Sequence, residues 1–80
     1  MQVNIQVYAK LKDFFKPKIK LELNEGSTLQ DLFIKLVQLN PDSEKSLNTS
    51  KAAVNDEFVD YKYILKENEN ILLFPPVSGG

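Results

Sequence analysis

The chain contains no cysteine and no histidine. Without cysteine there is no disulfide to staple a small fold and no thiol nucleophile. Without either residue a zinc site built from nitrogen and sulfur ligands is excluded, as are Ser-His-Asp and Cys-His catalytic centres. Arginine is missing too, so all 10 basic residues are lysines. Arginine is the usual source of bidentate phosphate and base-edge contacts. Its absence, with a net charge of -1, argues against a general nucleic-acid binder. No stretch approaches the roughly 18 apolar residues of a membrane span. The opening Met1-Gln-Val-Asn-Ile-Gln has no basic leader followed by an apolar run, so no signal peptide is expected. These absences predict a cytoplasmic protein that binds neither nucleic acid nor membrane, with no metal site and no permanently bound cofactor.

What is present is enough for one small core. A chain of 80 residues makes a single domain that buries roughly 60–65% of the surface its unfolded form exposes. An apolar content of 42% favours folding over disorder. Charge is unevenly spread. Lys10, Lys12, Lys16, Lys18 and Lys20 stand against one acid, Asp13, in the first 20 residues. That excess reads as solvated surface or as a basic docking patch.

Val3, Ile5 and Val7 alternate with polar residues, the period of a strand with one face in the core. Ile19, Leu21 and Leu23 repeat the pattern, with Lys16-Pro17 in the connection. The two predict an antiparallel pair. Ser27 and Gln30 have the spacing of a capping box. Leu29, Leu32, Phe33, Leu36 and Val37 follow at helical spacing, and the helix should stop near Asn40-Pro41. Residues 41–51 read as a polar loop with a short helical turn, anchored by Leu47. Ala52–Asn55 is a short strand ending in a turn at Asn55-Asp56, Phe58-Val59 is a brief return strand, and Tyr61–Leu65 has no clear period. Ile71–Phe74 is apolar on both faces, and Pro75-Pro76 cannot continue a ladder.

That order predicts an α+β chain, a β-grasp: a mixed sheet packed on one main helix, with the last strand central beside the first. Val3, Ile5, Val7, Leu21, Leu29, Phe33, Leu36, Ile71 and Leu73 are the expected core. The domain is expected over residues 1–76, with residues 77–80 as a flexible tail. Pro75-Pro76 favours a stiff, extended backbone. Val77, Ser78, Gly79 and Gly80 then taper until no Cβ remains, a shape that fits a narrow channel. The group such a tip offers is the carboxylate of Gly80, ionised at neutral pH with a reference pKa of about 3.5. A carboxylate is a poor acyl donor and needs activation, for instance by adenylation. A sulfur source could then displace the adenylate and leave a thiocarboxylate. A terminal Gly-Gly alone also fits an inert frayed end. The order of apolar strand, Pro-Pro, small residues and Gly-Gly points to a reactive tail.

Phe74-Pro-Pro-Val-Ser-Gly-Gly80 resembles the terminal signature of the molybdopterin synthase sulfur-carrier subunit family. Ile5–Asp13, Ala53-Val54-Asn55 and the segment from Ile71 onward resemble that family's first, middle and last strands, so the resemblance spans the chain. It implies a ubiquitin-like fold and a place in molybdenum cofactor biosynthesis. Gly80 would be adenylated by an ATP-dependent activating enzyme, converted to a thiocarboxylate, and threaded into the large synthase subunit to give sulfur to a cyclic pterin precursor. The pterin-binding catalytic residues would lie on that large subunit. Gly79, Ser78 and Val77 would be the threading segment. Phe74, Pro75 and Pro76 would touch the partner. The chain departs from the family in carrying Lys10 and Lys12 where arginine is common. Lysine keeps the charge and loses the planar fork. The nearest rivals are a carrier for thiamine or tRNA thiolation and a ubiquitin-like protein modifier.

One further expectation concerns the sheet. If Ile71 and Leu73 face the helix, Leu72 and Phe74 face away. They would form a docking patch at the root of the tail, rimmed by Lys10 and Lys12, unless residues 41–51 or 61–65 fold over them.

Overall fold

The computed structural model describes residues 1–76 of the chain. Strands β1 (Gln2–Val7) and β2 (Lys18–Glu22) pair antiparallel, Ile5 opposite Ile19. Helix α1 (Leu29–Leu39) follows, then a 3-10 turn (Pro41–Ser43) and the short helix α2 (Glu44–Asn48). Strands β3 (Lys51–Val54) and β4 (Glu57–Val59) form a hairpin, and β5 (Asn70–Phe74) completes the sheet. Strand order is β2-β1-β5-β3-β4, with β5 parallel to β1 and antiparallel to β3. The last strand is therefore central, and the sheet is mixed, as alternation and order predicted.

One face of the sheet packs on α1. Val3, Ile5, Val7, Ile71 and Leu73 meet Leu29, Leu32, Phe33 and Leu36 in a single buried cluster. Leu21 departs from expectation and is only half-buried against that cluster. It lies on an edge strand, where nothing stands on the outer side to complete its burial. Three leucines outside the periodic segments are fully enclosed: Leu11 and Leu47 at 0% exposure and Leu65 at 2%. Leu47 anchors residues 41–51, as expected from its isolation in a polar stretch.

The start of α1 corrects the predicted cap by one residue. Thr28, not Ser27, is the N-cap, and Asp31, not Gln30, completes the box. Thr28 N–H donates to Asp31 Oδ2 at 2.9 Å, and Asp31 N–H donates to Thr28 Oγ1 at 3.3 Å. A carboxylate there also suits the positive end of the helix dipole, which a glutamine does not exploit. Residues 61–65 finish the cap. Leu29 N–H donates to the Tyr63 carbonyl at 2.9 Å and Gln30 N–H to the Tyr61 carbonyl at 3.1 Å. The four N–H groups a helix start leaves orphaned are thus all paired. The stretch without a period is the strap that closes this helix end.

The β1–β2 connection holds a 3-10 turn over Ala9–Asp13. Leu11 plugs it into the helix-side core. Ala9, which opens it, has φ of 51°, a left-handed conformation that costs an L-residue with a Cβ roughly 1–2 kcal/mol. Glycine there removes the strain but loses more backbone entropy on folding, roughly 0.4–1 kcal/mol. Ala9→Gly is therefore expected to raise stability by about 0.5 kcal/mol. A urea midpoint lower than that of the parent chain would contradict this.

Candidate functional site around the root of the tail

Because β1 and β5 run parallel, their C-terminal ends reach the same edge of the sheet. Tyr8 leaves β1 where Phe74 ends β5, and Tyr8 N–H donates to the Leu73 carbonyl at 3.2 Å. Their rings stack, with centroids 4.7 Å apart and planes at 7°. Phe58 of β4 meets Phe74 edge-on, at 6.4 Å and 80°. Such pairs contribute roughly 0.5–1.5 kcal/mol each beyond the area they bury. Phe74 is thus held between two rings at the point where Pro75 begins the exit from the sheet.

The rest of this open face follows from register. Leu72 lies between Gln6 of β1 and Ala53 of β3, and Ala53 is opposite Phe58. Leu72, Phe74 and Pro75 are half-buried and Pro76 is exposed. Phe58 is 69% exposed, a large apolar surface for a side chain on a sheet. Residues 41–51 and 61–65 do not cover this face. Leu47 and Leu65 carry residues 41–51 and 61–65 into the cluster on the helix side. An apolar stripe of half-buried Tyr8, Phe74 and Leu72 and exposed Phe58, with Ala53 buried beneath them, therefore lies beside the tail root.

Lys10 and Lys12 are exposed on the 3-10 turn, at the same end of the sheet as Pro75. Their turn is fastened by Leu11 to the helix side, so they flank the tail end of the molecule. Val77, Ser78, Gly79 and Gly80 lie outside the described residues. Tyr8 and Phe58 were not among the residues predicted for the site. Tyr8 was within reach: strand alternation puts it on the face of Gln6, and a last strand parallel to the first brings it to Phe74. Phe58 needed the β3–β4 register, which two short strands do not declare.

The opposite end of β5 is structural. Glu69 accepts from the Tyr63 hydroxyl at 2.6 Å and from Lys66 N–H at 3.0 Å, fixing the turn before β5. That hydrogen bond, with burial and the carboxylate charge, pushes the Tyr63 phenol above its ordinary value. Among the described residues no group of acidic side chains could hold a metal ion, and no helix is long and apolar enough to cross a membrane. The arrangement can bind and position.

The profile of the ThiS family matches residues 5–80. A molybdopterin synthase sulfur carrier subunit from Dictyostelium discoideum is 35% identical over 83 residues, covering 99% of this chain and 96% of that one. In a protein complex of subunits 1 and 2 of the molybdopterin-converting factor from Helicobacter pylori, the matching chain superposes with a TM-score of 0.71. It is 25% identical, with both chains covered in full. SAMP1 from Haloferax volcanii superposes with a TM-score of 0.87 over the whole of both chains. Its identity of 20% speaks to the fold alone.

Proposed function

The chain belongs to the ThiS family, and from that premise we propose that it is the sulfur carrier of molybdopterin synthesis, working through the carboxylate of Gly80. The observation that carries this reading is the end-to-end match to a sulfur carrier subunit at 35% identity. An apolar stripe at the tail root supports it.

The carrier cycle has three steps. An activating enzyme joins the Gly80 carboxylate to the adenylyl group of ATP, and pyrophosphate leaves. A sulfur donor displaces the adenylate, giving C(=O)S⁻ at Gly80. The large subunit of molybdopterin synthase then takes the tail, the thiocarboxylate sulfur bonds to a carbon of the pterin precursor, and water cleaves the acyl–sulfur bond, leaving sulfur on the pterin and restoring the Gly80 carboxylate. The chain's own part is to offer a slim tip, Val77 to Gly80, and to fix where that tip lands. Seating Leu72, Phe74, Pro75 and Pro76 in a partner groove would lower the entropy cost of placing the tip. Tyr8 and Phe58 hold Phe74 in place for that contact.

Intact mass of the protein recovered from its own cells tests the chemistry. The expected species carries one sulfur in place of one oxygen. A ladder of adducts on other proteins, stable to boiling and thiol reagents, would instead favour the modifier reading that the fold shared with SAMP1 keeps open. Docking has its own test. Phe74→Ala is expected to weaken binding to the large subunit by at least about 1–2 kcal/mol. Titration calorimetry measures it, and equal binding by both proteins would remove this face from the interface.

A further inference from the structure

The apolar stripe has lysines beside it on β2 and one within its span on β3, between Phe74 and Phe58. Lys18 and Lys20 on β2 are exposed and opposite Gln6 and Asn4 of β1. Lys51 on β3 is exposed and opposite Phe74, and its Nζ lies 5.7 Å from the Phe58 ring centroid. Strands lie roughly 5 Å apart, so Lys18 stands about 10 Å from Leu72 on one side and Lys51 about 5 Å from Phe74 on the other. Between β2 and β5 runs a shallow groove of about 310 Å³ whose lining includes Lys18, Lys20, Gln6 and Leu72. Glu22 is the strand carboxylate of this face, at its far end, where it pairs with the Met1 amine at 3.5 Å. Among the described residues none of the three lysines has a carboxylate within ion-pair distance.

Edge protection explains lysine on β2, since a charged edge resists pairing with other chains. It does not explain Lys51. β3 is an interior strand, and lysine is a poor strand former. Lys51 is exposed over the Phe58 ring, beside the tail root, where a partner group could reach it.

We propose that Lys18, Lys20 and Lys51 select the docking partner by charge, and that the partner surface is an apolar ridge with carboxylates along the side that meets β2 and one more that meets Lys51 beside Phe74. The inference rests on the docking face described under the proposed function. It adds the chemistry of the partner and moves the charged contacts from Lys10 and Lys12 to β2 and to the start of β3. Opposed charges at an interface rim act mainly on encounter, so the effect belongs to the association rate and its salt dependence.

The test is stopped-flow association with the large synthase subunit of the same organism, at low and high sodium chloride. Combining Lys18→Gln, Lys20→Gln and Lys51→Gln should slow association about tenfold at low salt and flatten the salt dependence. Dissociation should stay near the parent value. Lys35→Gln with Lys45→Gln, on the helix side, removes nearly as much charge away from the face and should change little. Equal slowing by that control, or no slowing by the triple variant, overturns the inference. Lysine-dependent binding to phosphatidylserine vesicles in preference to the subunit would overturn it too, because the face would then read a membrane surface. Phe74→Ala separates the two levels. If it weakens binding while the triple variant does not, the charge inference alone fails. If it binds like the parent chain, the docking face itself fails.

Discussion

Deleting Gly80, or adding one residue after it, is expected to abolish ATP–pyrophosphate exchange with the activating enzyme while leaving the urea melt unchanged. The two halves have separate causes. The buried cluster runs from Val3 to Leu73, so neither change touches the core. The proposed chemistry, in contrast, resides in one carboxylate. Deletion leaves a carboxylate on Gly79, drawn back by about 3.5 Å of chain, and extension advances it by as much. A misplacement of about 1 Å at a reacting group can cost a hundredfold in rate, so a full residue should cost more than that. Unchanged exchange on deletion would sink the carrier proposal, whatever the fold.

Phe33→Ala should be the most damaging single change to folding among the residues discussed. Phe33 is 5% exposed in the helix–sheet core and meets Tyr61 edge-on at 5.5 Å. Truncating a buried phenylalanine costs about 3–5 kcal/mol. A chain of this length has a total stability on the order of 5 kcal/mol. The variant should therefore be largely unfolded without denaturant. Phe74→Ala gives up two ring contacts on a half-open face and should cost clearly less. Urea melts of both variants set the comparison. A loss under about 1 kcal/mol for Phe33→Ala would mean that the cluster does not hold the fold as its burial implies.

The elements that announced themselves in the sequence did so by period. Val3, Ile5 and Val7 alternate, Leu29 to Leu36 recur at helical spacing, and Ile71 to Leu73 are continuous enough to be central. What was illegible had no period to read. Leu11 is a single leucine between two lysines, and Leu65 follows Ile64 in a stretch without alternation, so neither position says which way its side chain points. Tyr61 and Tyr63 serve α1 through their backbone carbonyls, a role no side chain encodes. The cap slipped by one because Ser27-x-x-Gln30 and Thr28-x-x-Asp31 both fit the pattern, and the difference lies in a carboxylate against an amide. At the site, Leu72, Phe74 and Pro75 were visible as apolar residues with no reason to be polar-facing. Their clamp was not, because it joins three strands whose order is a property of the whole sheet.

The central position of β5 sets when this protein can come into existence. β1 and β3 have no contact to share until Asn70–Phe74 lies between them. A nascent chain that has not yet made its last strand exposes two open strand edges, a state prone to mispairing. The pairing of the first strand with the last also closes the longest possible loop, which slows folding relative to locally paired topologies. The sheet can therefore close only when synthesis has reached Phe74, at the threshold of the tail. A chain cut short by stalled synthesis or by a protease before Phe74 cannot persist as a folded decoy that occupies the partner without a tip to deliver. Pulse-labelled chains truncated at Glu69 should be degraded quickly, while chains truncated after Pro76 should survive as folded, inert bodies.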